Sequence, residues 1–280
     1  MILPHAKAWV SKIRNMVKTK LLQGDCLEKL KEVQDNSINA IITDPPFNLV
    51  GKMGGSIHLF RQSKKDGNNN YNKKTMDYDT GFDQITWIKT ALKKLKKGGH
   101  LIIFNDWENM GNISKELKAN NVKVKSLNHW QKTNPQPAEW ERRFVPGREY
   151  FLHAIKPGKY TFNLDKIHHG DFIMGLTPGK EKKFGKHPNQ KPIQLMEELI
   201  KILTNKGDTI LDCFMGSGTT GVACKNLERD FVGIELDKGY FEIAKERIDK
   251  LNSEEKVKTC STKHDIPPKS KDSGILSNFT

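Results

Sequence analysis

Residues 208–237, DTILDCFMGSGTTGVACKNLERDFVGIELD, decide the fold. The run DTILDCF is apolar enough for a buried strand and is closed by a glycine cluster. TTGVACKNLE reads as a short helix, and DFVGIELD as a second buried strand. Gly216, Gly218 and Gly221 stand in G-x-G-x-x-G spacing after the first strand and at the opening of the helix. Strand, glycine turn, helix and strand make a βαβ unit, whose two strands run parallel. The glycines let a ligand approach the backbone closely, and the helix N-terminus offers it free N–H groups. Glu235 ends the second strand, at a distance suited to a ribose diol.

The same alternation continues on both sides of this unit. KLLQGD, INAIITD and HLIIFND read as strands; CLEKLKEV, QITWIKTALKKLKK, WENMGNISKELKAN, PIQLMEELIKILTN and KGYFEIAKERIDKL read as helices. Asp83 is placed to cap the second of these helices, and Gly98-Gly99 to end it. Pro192 stands where the fourth begins. Two extended segments, VKVKSLNHWQK and REYFLHAIK, follow one another closely and predict an antiparallel pair at a sheet edge. Repeated strand–helix alternation predicts an α/β fold, a mostly parallel sheet covered on both faces with that one antiparallel pair.

Three segments stand outside the pattern. Residues 50–80 are rich in Gly, Asn and Lys, residues 158–187 read as loop, and residues 252–280 form a polar tail with a disordered composition. The first twenty residues lack acids and place Trp9, Val10, Ile13, Met16 and Val17 at helical spacing, as a docking helix or an extension does. An organelle transit peptide has a similar look, but the apolar content is weak and no cleavage-like site follows.

INAIITD ends in an unusual way, in Asp44, Pro45, Pro46 and Phe47. Two prolines cannot continue a central strand, because they lack the N–H that the ladder needs. The strand therefore stops on a carboxylate, rigid carbonyls and an aromatic ring. A nicotinamide dehydrogenase has no use for such a strand end. It also places its glycines directly after the strand, whereas here Asp212 and Phe214 intervene. An acidic group at that position suits the ammonium end of an amino-acid-bearing cofactor better than a pyrophosphate.

The net charge of the 280 residues is +14, which favours a polyanionic partner, most often nucleic acid. Cys26, Cys213, Cys224 and Cys260 show no CxxC spacing, which argues against a zinc site or a disulfide framework and fits a reducing cytosol. His168 and His169 invite a metal reading, but no third ligand accompanies them, so no metal is expected. No apolar run is long enough to span a membrane. The KKLKK run at 93–97 is placed where a helix C-terminus favours cations, which is a structural role.

Asp44-Pro45-Pro46-Phe47 and the run Asp212 to Thr219, taken together, resemble the two signatures of S-adenosylmethionine-dependent amino-methyltransferases that act on DNA. The order, cradle first and glycine loop second, resembles their β class, a circular permutation of the Rossmann-like class I methyltransferase fold. HPNQKP (187–192), HWQKTNPQP and Glu149 resemble further features of that class. The likeness runs from about Leu21 to Leu251, which divides the chain into a basic extension (1–20), a permuted methyltransferase domain (21–251) and the polar tail (252–280). The permutation requires KLLQGD to lie beside DFVGIELD, with the chain cut between the helix that ends near Leu251 and that strand.

The resemblance implies adenine N6 as the target. Asp44 and the Pro45 carbonyl would each accept one N–H of the amine, Pro46 would stiffen the turn, and Phe47 would stack on the base. Many relatives have tyrosine where Phe47 stands, which keeps the stacking and loses a hydroxyl. Aspartate at position 44 favours adenine; the cytosine-N4 enzymes of this class more often carry serine, and enzymes acting on protein glutamine or RNA more often carry asparagine. Asp212, Phe214, Gly216, Ser217, Gly218 and Thr219 would surround the methionine part of the cofactor, with Lys191 bordering it. Glu235 would take the ribose, and Asp25 the cofactor's adenine or, equally, the cap of the helix that follows it.

The basic residues that would meet DNA are Lys52, His58, Arg61, Lys64 and Lys65 in the 50–80 loop, then Lys132, Arg142 and Arg143, and His168 and Lys186 in the target-recognition segment 158–187. The expected partners are double-stranded DNA, a second copy of the chain and a restriction endonuclease acting on the same site, all in the cytoplasm. The alternatives are a cytosine-N4 enzyme and, from another class, a catalytically silent DNA-binding protein.

Overall fold

The structure is a computed structural model that describes residues 17–47, 81–135, 144, 147–164, 170–182 and 189–250. The loop expected at residues 50–80 therefore lies outside the described residues, as do most of the first twenty residues and the expected tail. Eight strands form one sheet in the order β1-β8-β7-β2-β3-β5-β4-β6. They are β1 (Thr19–Gln23), β2 (Ile38–Thr43), β3 (Leu95–Asn105), β4 (Lys123–Lys132), β5 (Arg148–Ile155), β6 (Asp171–Met174), β7 (Thr209–Asp212) and β8 (Asp230–Glu235). The helices among the described residues are α1 (Cys26–Leu30), α2 (Thr86–Lys94), α3 (Trp107–Ala119), α4 (Ile193–Leu203), α5 (Thr219–Asn226) and α6 (Lys238–Lys250). β1, β8, β7, β2 and β3 are mutually parallel, and β5 is antiparallel to both β3 and β4.

Period-two alternation decides which side of the sheet each residue covers. Ile41, Leu101, Ile103 and Leu211 pack against α1, α2 and α3, beside Leu30, Trp87, Ile88 and Ile113. Ala40, Ile42, Ile102, Phe104 and Ile210 turn the other way, onto Leu195, Leu199, Val222, Ala223 and Ile248 of α4, α5 and α6. The central strands are buried on both faces, which is why they read as continuous apolar runs. The expected neighbour relation holds: β1 pairs with β8, Leu21 opposite Gly233 and Gln23 opposite Glu235. The paired strand starts at Thr19, two residues before the expected boundary.

Two elements differ from the reading. The second helix ends at Lys94 rather than at the glycines, and β3 already begins at Leu95 and runs through Gly98 and Gly99. Lys156 reaches back to donate to the carbonyls of Leu92 (3.0 Å) and Leu95 (2.6 Å), where the helix gives way to the strand. Gly98 is needed for another reason: at φ +76° it lies against the loop after β5, where a Cβ would fall 1.8 Å from the Lys159 carbonyl oxygen. The KKLKK run is thus shared between a helix end and a strand, and its Lys94 is buried against Asp35 (2.6 Å). The second difference concerns the sheet edge. The antiparallel pair is not terminal, because β6, from within the expected loop 158–187, adds in parallel to β4, and the Trp130 indole donates to the Met174 carbonyl (3.1 Å). Among the described residues no helix is long and apolar enough to cross a membrane.

The carboxyl ends of β1, β8, β7, β2 and β3 lie along one edge of the sheet. Chain order reverses between β7 and β2, which is the switch point at which open α/β sheets hold ligands.

Candidate active site

The glycine loop leaves β7 at Asp212, whose side chain is buried and fully bonded. Its Oδ1 accepts from Thr43 Oγ1 (2.8 Å) and the Phe214 amide (3.1 Å), and its Oδ2 from Thr220 Oγ1 (2.7 Å). The Thr43 bond joins the ends of β7 and β2 directly. Burial pushes the Asp212 carboxyl up to about 6, against the pull of these donors. Phe214 is locked by edge-on contacts to Phe82 and Trp87. Gly216 and Gly218 adopt left-handed conformations, φ +51° and +78°. The Gly216 amide donates to Glu235 Oε2 (2.9 Å) and the Asp237 amide to Oε1 (2.8 Å), while burial pushes the Glu235 carboxyl up to about 7. Asp25 caps α1 by accepting from the Leu27 amide (2.9 Å), and it also lines the cavity.

Arg247, buried in α6, holds the loop from behind. One of its nitrogens donates to the Ser217 carbonyl (2.5 Å) and hydroxyl (2.8 Å), and Ser217 Oγ in turn donates to Gln190 Oε1 (3.1 Å). Nothing in the spacing of α6 marked this residue, since an arginine in a last helical turn usually faces water.

The cradle follows β2 without regular structure, and its shape is imposed by amides from elsewhere. Gln84 donates to the Pro46 carbonyl (2.5 Å) and Asn109 to the Phe47 carbonyl (3.0 Å). Asn105, at the end of β3, ties the two together: it donates to Gln84 Oε1 (2.8 Å) and accepts from Asn109 Nδ2 (2.8 Å). The sequence reading missed all three. The available signal was Asn105 itself, a buried polar residue closing an otherwise apolar strand.

Asp44 leads a chain of charges. Its Oδ2 is bonded to the Lys191 ammonium, which also lies 3.0 Å from Glu149 Oε2; Glu149 Oε1 is 2.6 Å from Lys132. Lys191 therefore meets the cradle, while its neighbour Gln190 meets the glycine loop. The ammonium also lies over the rings of Phe104 and Phe47, at 5.3 and 5.7 Å. Asp44 Oδ1 is buried and has no hydrogen-bond partner among the described residues. Burial pushes the Asp44 carboxyl above its ordinary value even though Lys191 opposes the push. Burial pushes Glu149 the same way, but Lys191 and Lys132 outweigh it and hold that carboxyl below its ordinary value. For Lys191, burial favours the neutral amine, and the two carboxylates outweigh it, so the ammonium persists.

Cradle and loop open on a single cavity of about 1180 Å³. Every residue assigned to the cradle and to the cofactor lines it, except Gly218, which packs behind the loop against Ala244. The volume exceeds that of pockets for one drug-sized ligand, about 300–1,000 Å³, so two ligands can lie side by side. Of the basic residues assigned to DNA, Lys132 is described, and its ammonium is held by Glu149 and lies 5.2 Å from the Trp130 ring centre. Lys52, His58, Arg61, Lys64, Lys65, Arg142, Arg143, His168 and Lys186 lie outside the described residues.

The family described as DNA methylase matches residues 38–171 and 173–246. The type II methyltransferase M2.MboI of Moraxella bovis is 32% identical over 245 residues, 82% of this chain and 88% of that protein. M2.DpnII of Streptococcus pneumoniae, also a type II methyltransferase, is 34% identical over 253 residues, 85% and 92%. Among solved structures, the M1.HpyAVI–SAM complex is 33% identical with a TM-score of 0.64, covering 82% of this chain and 99% of that one. The cytosine-N4-specific PvuII DNA methyltransferase has a TM-score of 0.62 at 19% identity, covering 83% and 86%, which is a likeness of fold.

Proposed function

The chain belongs to the DNA methylase family, and on that premise we propose that it moves a methyl group from S-adenosylmethionine to adenine N6 in double-stranded DNA. One observation carries this reading: Asp44 and the glycine loop, 168 residues apart from Asp44 to Asp212 in the chain, face one cavity and are joined at their strand ends by Thr43 and Asp212. The residues fit the methyl donor. Asp212, Phe214, Gly216 and Ser217 would hold its methionine part and Glu235 its ribose, in an acidic pocket suited to a ligand of net positive charge. When bound, it supplies a methyl group already activated on a sulfonium, so the protein need provide no covalent nucleophile.

The work of the chain is to prepare the amine. An exocyclic amino group is a poor nucleophile because its lone pair is spread into the ring. Asp44 Oδ1 accepts one of its hydrogens and the Pro45 carbonyl the other, which turns the lone pair out of the ring plane. The positive charge that develops on nitrogen then meets fixed oxygens that need no reorganisation. Gln84 and Asn109 hold the carbonyls after Pro45, so that alignment is built in before the base arrives. Phe47 offers a face for stacking. The base must leave the duplex to enter, at a cost of a few kcal/mol. The basic segments at 50–80 and 158–187 are the proposed contacts to the DNA. A second copy of the chain, a restriction endonuclease of the same specificity and a cytoplasmic location complete the reading.

The test is to incubate unmethylated duplex DNA with the protein and labelled S-adenosylmethionine, digest to nucleosides and weigh the products. N6-methyladenine is expected. N4-methylcytosine as the sole product overturns the choice of base, and DNA binding without any cofactor binding or methylated nucleoside favours a silent DNA-binding protein.

A further inference from the structure

The charges behind the cradle are more numerous than holding a base requires. Asp44, Lys191, Glu149 and Lys132 alternate in sign and come from the end of β2, the segment before α4, the start of β5 and the end of β4. Lys191 is the most enclosed of the four, its side chain 7% exposed. Its ammonium donates to Asp44 and lies 3.0 Å from Glu149, and two aromatic rings flank it. The ammonium occupies Asp44 Oδ2, and Oδ1 is buried and unpartnered among the described residues. A carboxylate so placed, without its cation, would take up a proton, because a buried charge without a partner is costly. A protonated Asp44 would offer a donor where the amine needs an acceptor.

We propose that Lys191 is a positioning residue that keeps the Asp44 carboxylate ionised and reserves its Oδ1 for the target amine, with Glu149 and Lys132 tethering Lys191 in place. The proposal rests on the methyltransferase reading and adds a division of labour between the two oxygens of one carboxylate. Lys191 is not a stand-in for the amine, since the two use different oxygens and the ammonium is anchored from the side of β5. The charged groups facing Asp44 are Lys191 and Glu149, with Lys132 behind them and Asp212 across the β2–β7 boundary. The two nearest act with opposite signs: Lys191 favours the ionised form of Asp44 and Glu149 disfavours it.

That opposition gives the test. Single-turnover methylation of unmethylated plasmid DNA is followed from pH 5.5 to 9 at saturating S-adenosylmethionine, for the wild type, Lys191→Met and Glu149→Gln. The acid limb of the rate is expected to move up by at least about one pH unit in Lys191→Met, a tenfold change in the ionisation constant, with the rate recovering as pH rises. In Glu149→Gln it is expected to move down. A uniform loss at every pH, or movement of both variants in the same direction, overturns the proposal. Carbon-13 NMR titration of aspartate carboxyls, with the Asp44 signal assigned by its absence in Asp44→Asn, measures the same order without any turnover. An Asp44 titration unmoved by Lys191→Met overturns the proposal even if the wild type methylates DNA. A wild type that methylates nothing overturns the functional reading, and the NMR order still decides the role of Lys191.

Discussion

Asp44, half-buried, and Asp212, buried, are both aspartates at strand ends, yet their partners assign them different work. Asp212 spends both oxygens on neutral donors of the chain itself, so it shapes the loop and orders Thr43 and Thr220. Asp44 keeps one oxygen unspent. Asp44→Ala is therefore expected to lower methyl transfer by about 10²–10³-fold or more, the usual loss when a fixed partner of developing charge is removed. Cofactor affinity should stay within a few-fold, and equilibrium dialysis with S-adenosylmethionine checks this beside a single-turnover assay. Loss of binding with unchanged turnover per bound complex would contradict the assignment. Asn109→Ala probes the other half of the cradle. Removing its bond to the Phe47 carbonyl should cost about 1 kcal/mol of stability. It should cost transfer more than that bond alone implies, because a slight misplacement of the reacting groups can be worth up to about 10²-fold. Asp44 was legible in the sequence because Asp-Pro-Pro-Phe is a contiguous anomaly. Gln84 and Asn109 were not: their importance lies in contacts 38 and 62 residues away, and no spacing announces those.

The elements were legible where periodicity and punctuation agreed. DTILD, DFVGIE and INAIIT are apolar on both faces and bounded by turn residues, and they became three adjacent central strands. The place of β1 followed from its partner's need for a neighbour. Reading failed where a long-range contact overrode a local signal. Gly98-Gly99 has the form of a helix stop, but the positive φ of Gly98 serves the close approach of the Lys159 backbone, and the helix had already ended at Lys94. β6 has only four residues and borrows its stability from β4, so nothing in Asp171–Met174 alone distinguishes it from loop. Gly218, like Gly98, meets both a local and a distant demand. Its φ is +78°, and a Cβ there would lie 2.8 Å from the Ala244 Cβ and 3.0 Å from its Cα. Gly218→Ala carries a left-handed penalty of about 1–2 kcal/mol besides displacing α6. A loss of about 2–3 kcal/mol is expected, read as a fall in melting temperature and in denaturant midpoint. An unchanged midpoint would show that α6 yields freely, and the glycine loop would then not depend on its packing.

The chain as a whole is strongly basic, yet its cavity is acidic: Asp25, Asp44, Glu149, Asp212 and Glu235 all line it. Lys132, Arg148, Lys191 and Lys238 also line the cavity, and Lys191 and Lys132 are paired with Asp44 and Glu149, which leaves Asp212 and Glu235 as carboxyls without a cation beside them among the described residues. That has a consequence in pH. Burial raises the Asp212 carboxyl from 3.8 to about 6 and Glu235 from 4.5 to about 7. A carboxyl raised on folding contributes stability that is full below its ordinary value and lost as pH rises through the folded one. The free protein therefore loses this contribution between about pH 4 and 7, as the cavity accumulates negative charge. S-adenosylmethionine carries an ammonium, a sulfonium and one carboxylate, a net charge of +1, and it is best received by the ionised pocket. Its affinity should rise with pH across that window, by up to about tenfold per pH unit for each carboxyl that must first lose a proton. The stabilisation that it confers grows with affinity at fixed concentration. The difference in melting temperature with and without the cofactor is thus expected to be larger at pH 8 than at pH 5.5. Taking the difference removes the repulsion among the surface lysines, which acts on both samples alike. Glu235→Gln should flatten the dependence if its carboxylate is the ribose acceptor, because the group with the higher titration point is then gone. A shift that is constant from pH 5.5 to 8 in the wild type would mean that the donor binds without drawing on these carboxylates, and the acidic lining would then belong to the fold rather than to the cofactor.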